Sequence, residues 1–120
     1  MKVLYVDDEP DIREIAEMAL SLDPDFAVRT ASSAADALSI LKEWAPDVAL
    51  LDVMMPGMDG PTLEAELRRS ERYASLPVIF VTARAQRSEL QSFSTNGAVG
   101  VIAKPFNPMT LAQSVREILR

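Results

Sequence analysis

Short apolar runs alternate along the chain with stretches in which apolar residues recur at helical spacing. Runs of about four apolar residues between polar or turn-forming residues are typical of strands buried on both faces of a sheet. The pattern predicts five strands, at 3–6, 26–28, 48–51, 78–81 and 99–103. Helical spacing predicts five helices, marked by apolar residues within 12–20, 37–44, 61–67, about 85–96 and 111–119.

The order of these elements indicates an α/β fold. Each predicted strand is followed by a predicted helix, and the connections are only a few residues long. Such β–α repeats favour a parallel sheet covered by helices on both faces. The fourth helix, at about 85–96, is the weakest, because Leu90 and Phe93 are its main apolar anchors among residues of mediocre helix propensity.

Composition bounds the class of protein. The chain has 120 residues, 48% hydrophobic and 25% charged, as expected for one globular domain. It contains no Cys and no His, which excludes disulfides, thiolate chemistry, a Ser-His-Asp triad and a phosphohistidine of its own. No apolar run approaches the roughly 20 residues of a membrane span. We therefore expect a cytoplasmic domain without a membrane segment.

The net charge of −6 conceals an uneven distribution. Residues 1–66 carry 15 acidic and 4 basic residues, a net charge of −11, whereas residues 67–120 carry 3 acidic and 8 basic residues, or +5. A net negative domain is a poor match to nucleic-acid phosphates, so we expect no direct nucleic-acid binding. The distribution raises the question of what the acidic half holds.

Polar residues with related chemistry follow four of the five predicted strands. Asp7, Asp8 and Glu9 follow the first strand, Asp52 the third, Thr82 the fourth and Lys104 the fifth. The carboxyl ends of parallel strands meet at one edge, where ligands bind. Clustered carboxylates favour a hard cation such as Mg²⁺. Asp52 suits a nucleophile that forms an acyl phosphate, while Thr82 and Lys104 suit contacts with phosphoryl oxygens.

These motifs resemble those of the receiver domain of two-component response regulators. The resemblance covers the whole chain in order and rests on Asp7-Asp8, the segment 51–60 (LDVMMPGMDG), Val81-Thr82-Ala83 and Lys104-Pro105-Phe106. It implies a flavodoxin-like (βα)5 three-layer sandwich with a five-stranded parallel sheet of order 2-1-3-4-5. We expect residues 1–120 to form a single receiver domain without an output domain.

The resemblance also implies a function and a set of site residues. Asp52 is the expected phosphoacceptor, with Thr82 and Lys104 as its catalytic neighbours. Mg²⁺ is the expected cofactor, held by Asp7, Asp8, Asp52 and the backbone carbonyl of Met54. The peptide bond between Lys104 and Pro105 is expected to be cis.

The resemblance further implies the partners. A sensor histidine kinase or a histidine phosphotransfer protein would supply the phosphoryl group. A downstream protein would bind the surface of the fourth helix, fifth strand and fifth helix. The expected assembly is a monomer or a phosphorylation-dependent dimer.

One position departs from the family pattern. Where receivers commonly carry Tyr or Phe three residues before the lysine, this chain has Val101. A valine has no ring that could rotate towards Thr82 and is stiff at χ1. We therefore expect the state of Thr82 to be transmitted through the weak fourth helix, and hydrogen exchange in residues 83–97 to change upon beryllofluoride addition.

Two alternatives belong to other functional classes. A Mg²⁺-dependent phosphatase or phosphotransferase would also use Asp52 as a nucleophile, but Met54 stands where a general acid two residues later would be needed. A phosphorylation-independent interaction module would not need the full set of site residues. The leading hypothesis is a signalling switch with self-catalysed phosphorylation and dephosphorylation, not a turnover enzyme.

Overall fold

The computed structural model describes residues 1–83 and 98–120. The predicted helix at about 85–96 lies outside these ranges. The prediction of changed hydrogen exchange in residues 83–97 also lies outside them, except at residue 83. The described strands are β1 (Lys2–Val6), β2 (Ala27–Ala31), β3 (Val48–Asp52), β4 (Val78–Thr82) and β5 (Gly100–Ala103). The described helices are α1 (Pro10–Leu20), α2 (Ala34–Glu43), α3 (Gly60–Arg68) and α4 (Leu111–Leu119).

The five strands form one parallel sheet in the order β2-β1-β3-β4-β5. This confirms the flavodoxin-like sheet and its strand order. β1 lies between β2 and β3, so the chain reverses its direction of winding at β1, and the strand ends on either side of this reversal form the usual ligand crevice. In the part of the chain that the structure describes, no helix is long and apolar enough to cross a membrane.

The sheet has a hydrophobic core on each face. Alternate residues of a strand point to opposite faces, so neighbouring residues belong to different cores. The first core joins the sheet to α1 and α4, and its members include Val3, Tyr5, Val48, Leu50, Ile79, Val81, Ala16, Leu20, Leu111 and Val115. The second joins it to α2 and α3, and includes Leu4, Val6, Ala49, Leu51, Val78, Phe80, Ala37, Leu41, Leu63 and Leu67. Helices on both faces confirm the three-layer prediction.

Two predicted strands begin one residue before the observed strands. β2 begins at Ala27, after Phe26, whose backbone N–H donates to the Asp23 carbonyl in the preceding turn while its ring is buried in the first core. Val99 precedes β5 and is 50% exposed. Both bounds were misplaced because an apolar residue beside a strand resembles a strand residue when only hydropathy is read.

Local sequence signals explain where the helices near the site begin. Pro10 and Pro61 occupy the first turns of α1 and α3, where a missing N–H costs no helical hydrogen bond. The Asp59 side chain accepts from the Thr62 N–H at 2.9 Å and so caps α3. These helix starts place the loops after β1 and β3, residues 7–9 and 53–59, at the edge that carries Asp7 and Asp52.

Candidate functional site

The backbone ladder brings the predicted residues to one edge of the sheet. Val6 of β1 lies opposite Leu51 of β3, so Asp7 follows its strand beside Asp52. Asp52 in turn lies opposite Val81, and the Lys104 N–H donates to the Thr82 carbonyl at 2.9 Å beyond the last paired residues.

Three carboxylates form the centre of this edge. Asp7, Asp8 and Asp52 each offer a carboxylate oxygen, and the three oxygens lie within 4.8 Å of one another. Asp7 is fully buried, Asp52 is 3% exposed and Asp8 is half-buried. Buried like charges at this separation raise each other's proton affinity unless a cation compensates them.

Lys104 supplies one compensating charge. Its Nζ lies 2.8 Å from Asp7 Oδ2 and 3.3 Å from Asp52 Oδ1, and its side chain is 14% exposed. Burial lowers the pKa of Lys104, but the hydrogen bonds and charges of Asp7 and Asp52 outweigh it and leave this pKa raised. Lys104 therefore stays charged, and one cation serves two buried carboxylates.

Even with Lys104 nearby, the surroundings of Asp52 disfavour its charged form. Burial, followed by the charge of Asp7, raises the pKa of Asp52 from 3.8 to about 6, although Lys104 and the Met54 N–H oppose this rise. At neutral pH the carboxylate is still mostly ionised. Asp52 is thus an available nucleophile in a site that retains excess negative charge.

Asp7 is held by groups from several directions. The Glu9 N–H donates to Asp7 Oδ1 and the Tyr5 hydroxyl to Asp7 Oδ2, both at 3.0 Å. From α1, Arg13 Nη1 donates to the Asp7 carbonyl at 2.9 Å. Burial and then the charge of Asp7 raise the pKa of Tyr5, so the phenol keeps its proton and acts as the donor.

The loop after β3 returns closely to the strand that ends in Asp52. The Met54 N–H donates to Asp52 Oδ1 at 3.3 Å, and the Met54 side chain is 57% exposed. Gly57 has a φ of 77°, a turn conformation that side chains disfavour. A Cβ on Gly60 would collide with the Asp52 carbonyl oxygen, so a glycine permits α3 to begin directly against β3.

The remaining predicted residues lie on the two strands at the far side of the site. Thr82 ends β4 and is 1% exposed. Val101 of β5 is half-buried and packs against the second core, so this position holds an aliphatic group and no ring. The bond between Lys104 and Pro105 is cis, as the resemblance implies.

Sequence reasoning missed three residues that shape the site. The sequence patterns place Tyr5 only within a buried strand, and they indicate neither the contact of Arg13 nor the close approach of Gly60 to β3. A signal existed for Tyr5, because residues two apart in a strand share a face and Asp7 follows it by two. No comparable signal existed for Arg13, whose contact with the Asp7 carbonyl depends on how α1 packs.

The donor set fits a divalent cation of the Mg²⁺ type. All three ligand candidates are carboxylate oxygens, and Lys104 balances only part of their charge. Hard cations prefer such oxygen ligands, and Mg²⁺ commonly binds with one or two carboxylates, water and phosphate oxygens. The half-buried Asp8 also leaves the cluster open to solvent on one side.

Comparisons with known proteins agree with this geometry. A family model described as the response regulator receiver domain matches residues 3–116. The chain is 38% identical over 120 residues to the response regulator Rre1 of Synechocystis sp., with 99% of this chain and 52% of that protein covered. It is 37% identical over 118 residues to the transcriptional regulatory protein CseB of Streptomyces coelicolor, with coverage of 98% and 49%. The chain thus spans about half the length of these curated relatives.

Solved structures show the same fold along nearly the whole chain. The chemotaxis response regulator CheY4 of Vibrio cholerae superposes with a TM-score of 0.88 at 32% identity, with 98% of this chain and 97% of that chain covered. A putative response regulator from Chloroflexus aurantiacus gives a TM-score of 0.87 at 34% identity, with coverage of 98% and 96%.

Proposed function

The chain belongs to the response regulator receiver family of two-component signalling, and we propose that it is a phosphoacceptor switch with Asp52 as its acceptor. One observation carries the proposal: Asp52 ends a fully buried strand, with its carboxylate 3.3 Å from the Lys104 ammonium and clustered with the carboxylates of Asp7 and Asp8. A carboxylate placed in this way is a fixed nucleophile beside groups that can neutralise an incoming phosphoryl group. Residues 1–120 act as a single receiver domain in this proposal.

Phosphoryl uptake uses a carboxylate oxygen of Asp52. This oxygen attacks the phosphorus of the donor, an O–P bond forms, and the N–P bond of a donor phosphohistidine breaks with its electron pair passing to the imidazole nitrogen. The chain has no histidine, so the phosphohistidine belongs to a separate molecule or domain. Attack of water on phosphorus later releases inorganic phosphate and regenerates the Asp52 carboxylate.

Lys104 and Thr82 act on the transferred group. Before transfer, Lys104 Nζ lies 3.3 Å from Asp52 Oδ1, within reach of a phosphoryl oxygen attached there. Thr82 ends the neighbouring strand β4, and its hydroxyl is the proposed donor to another phosphoryl oxygen. Fixed donors of this kind stabilise charge that develops during transfer without reorganising water.

Asp7, Asp8, Asp52 and the Met54 backbone carbonyl are the proposed ligands of Mg²⁺. When bound, the ion supplies positive charge that neutralises phosphoryl oxygens and offsets the repulsion among the three carboxylates. Asp7 and Asp8 serve as the ion's protein anchors, while Asp52 remains the group that reacts.

The proposed partners follow from family membership. A histidine kinase or a histidine phosphotransfer protein donates the phosphoryl group in the cytoplasm, and a downstream protein reads the phosphorylated state. The proposed reading surface includes β5 and α4 together with the predicted helix at about 85–96, which lies outside the described residues. Val101 on β5 supports a response that does not depend on a rotating aromatic ring at this position.

The test is phosphorylation of the purified chain by acetyl phosphate, followed by intact mass measurement. With Mg²⁺ we expect one phosphoryl adduct, and we expect none after Asp52→Ala or in EDTA. Asp11→Asn is a matched control, because Asp11 is an exposed aspartate in the first turn of α1 and should leave the adduct unchanged.

The other outcomes separate the alternatives. An adduct that persists in Asp52→Ala would refute Asp52 as the acceptor. Rapid consumption of acetyl phosphate without an adduct would instead favour a phosphatase. A lack of reaction under all conditions would favour a phosphorylation-independent interaction module.

A further inference from the structure

Tyr5 is a buried side chain whose polar end reaches the proposed metal site. It lies in β1, is fully buried, and belongs to the first core, whose other buried members are apolar. Its hydroxyl donates to Asp7 Oδ2 at 3.0 Å. A buried phenol needs a hydrogen-bond acceptor, and a backbone carbonyl would be sufficient for that purpose. Here the partner is instead a carboxylate of the acidic cluster.

The ring of Tyr5 also contacts the segment that carries Lys104. Phe106 packs edge-on against Tyr5, with ring centroids 6.4 Å apart and an interplanar angle of 75°. Phe106 follows Lys104 by two residues, and Lys104 Nζ contacts the same Asp7 oxygen as the Tyr5 hydroxyl. Tyr5 therefore contacts Asp7 through its hydroxyl and the segment that carries Lys104 through its ring.

Three donors define the orientation of the Asp7 carboxylate. The Glu9 N–H approaches Oδ1, while the Tyr5 hydroxyl and Lys104 Nζ approach Oδ2. Glu9 and Lys104 lie on loops at the edge of the sheet, whereas Tyr5 lies inside a strand paired on both sides. Tyr5 is thus the donor whose position is set by the sheet itself.

We infer that Tyr5 is a positioning residue that orients the Asp7 carboxylate for Mg²⁺. This inference rests on the proposed function, because it takes Asp7 as a metal ligand. Partners that hydrogen-bond to a metal ligand fix its orientation, and their loss typically weakens metal binding by about 10- to 100-fold. Tyr5 touches neither Asp52 nor the transferred phosphoryl group in this scheme, so its effect on phosphorylation passes through Asp7.

The test compares the only two tyrosines of the chain. Tyr5→Phe removes the hydroxyl and keeps the ring that contacts Phe106. Tyr73→Phe is the matched control, because the Tyr73 hydroxyl donates to the Leu41 carbonyl at 2.8 Å, away from the acidic cluster. Mg²⁺ binding is measured by calorimetry without a phosphodonor, after urea unfolding has established that each variant is folded.

We expect the Kd for Mg²⁺ to rise about 10-fold in Tyr5→Phe and to stay unchanged in Tyr73→Phe. Acetyl phosphate labelling of Tyr5→Phe should recover at saturating Mg²⁺, as expected for an effect on metal binding rather than on transfer. An unchanged or lower Kd in Tyr5→Phe would overturn the inference, as would an equal rise in both variants.

A second measurement keeps the native Tyr5 in place. Tyr73→Phe leaves Tyr5 as the single tyrosine, so its near-ultraviolet absorbance can be followed during a Mg²⁺ titration. We expect the signal to change in step with binding, because the ion withdraws charge from the carboxylate that accepts the phenol. A silent Tyr5 would overturn the inference even if Tyr5→Phe fails to fold.

These outcomes are separable from those of the proposed function. If Mg²⁺ binding weakens in Tyr5→Phe but wild-type Asp52 forms no adduct, the proposed switch is contradicted and the positioning role of Tyr5 is supported. If the wild type forms the adduct but the Mg²⁺ affinity of Tyr5→Phe is unchanged, the switch is supported and the positioning role is contradicted.

Discussion

Two clusters in this molecule have the same arrangement of charges and differ in their exposure to solvent. In the first, Lys104 Nζ lies 2.8 Å from Asp7 and 3.3 Å from Asp52. In the second, Arg116 lies 2.6 Å from Asp23 and 3.4 Å from Asp25. Each cluster places one cation between two aspartates.

The two clusters differ in how far their side chains are buried. The side chains of Asp7, Asp52 and Lys104 are 0%, 5% and 14% exposed, whereas those of Asp23, Arg116 and Asp25 are 17%, 45% and 80% exposed. The pKa of Asp52 is raised by burial and by Asp7, whereas the hydrogen bond from Arg116 lowers the pKa of Asp23.

The comparison shows that one cation satisfies two aspartates at the surface but not two buried ones. Water screens the second cluster, so its ion pairs contribute mainly to docking α4 against the turn before β2. In the first cluster the excess negative charge persists, and this excess suits a divalent metal ion, which in turn can neutralise phosphoryl oxygens.

Removing the buried cation should give the largest effect on stability. Lys104→Met leaves Asp7 and Asp52 without their shared ammonium, and we expect the free energy of unfolding in EDTA to fall by about 2–3 kcal/mol. Urea unfolding near neutral pH measures this change. Mg²⁺ would then neutralise carboxylates that lack the ammonium. Adding Mg²⁺ should therefore raise the free energy of unfolding of Lys104→Met by more than that of the wild type. A loss no greater than that of Arg116→Met would contradict the contrast drawn between the clusters.

Removing the buried negative charge of Asp52 should instead raise the free energy of unfolding. With its folded pKa raised from 3.8 to about 6, Asp52 binds a proton more readily in the folded chain than in the unfolded one. The free energy of unfolding of the wild type, in EDTA, should therefore fall through this group as pH rises from about 4 to about 6, and the deficit persists above that range.

Asp52→Asn abolishes this deficit. We expect the variant to be more stable than the wild type by about 1–2 kcal/mol in EDTA at about pH 8, and the gain to vanish below about pH 4. Chemical denaturation across this pH range measures both. Asp11→Asn, an exposed aspartate, should show no such pH-dependent gain, and a destabilised Asp52→Asn would show that Lys104 already balances the site.

Removing the exposed cation should give the smallest effect. Arg116→Gln loses the ion pairs with Asp23 and Asp25 and the contact of the guanidinium with the Phe26 ring at 4.9 Å. We expect a small drop in Tm that shrinks as salt is added, because solvated pairs are screened.

The pH dependence provides a second check of this cluster. Since the folded pKa of Asp23 is lowered, its contribution is present above its ordinary pKa and is lost as pH falls through the folded value. Thermal unfolding of wild type and Arg116→Gln should therefore converge in acid. A large Tm loss that persists at high salt would show that the second cluster is not governed by solvent screening.

The two clusters also differ in how far they were predictable. The first was expected from residues that follow predicted parallel strands, because such strands end at one edge. The second was not expected: Arg116 stands among several basic residues of the second half and nothing near it in sequence indicates Asp23. Their contact spans 93 residues and depends on how α4 packs on the first core.

The amino-acid sequence alone was enough to predict the order of the described strands and helices along the chain, the burial of the sheet on both faces and the polar residues that follow its strands. These properties follow from local hydropathy, which repeats every two residues in a strand and about every 3.6 in a helix.

Which side chains contact each other at this edge depends on the tertiary structure. It placed Lys104 between Asp7 and Asp52, the Tyr5 hydroxyl on Asp7, and Gly60 against the Asp52 carbonyl. Such contacts depend on strand register and on a packing geometry that short-range patterns do not specify, since many pairings bury the same apolar surface equally well.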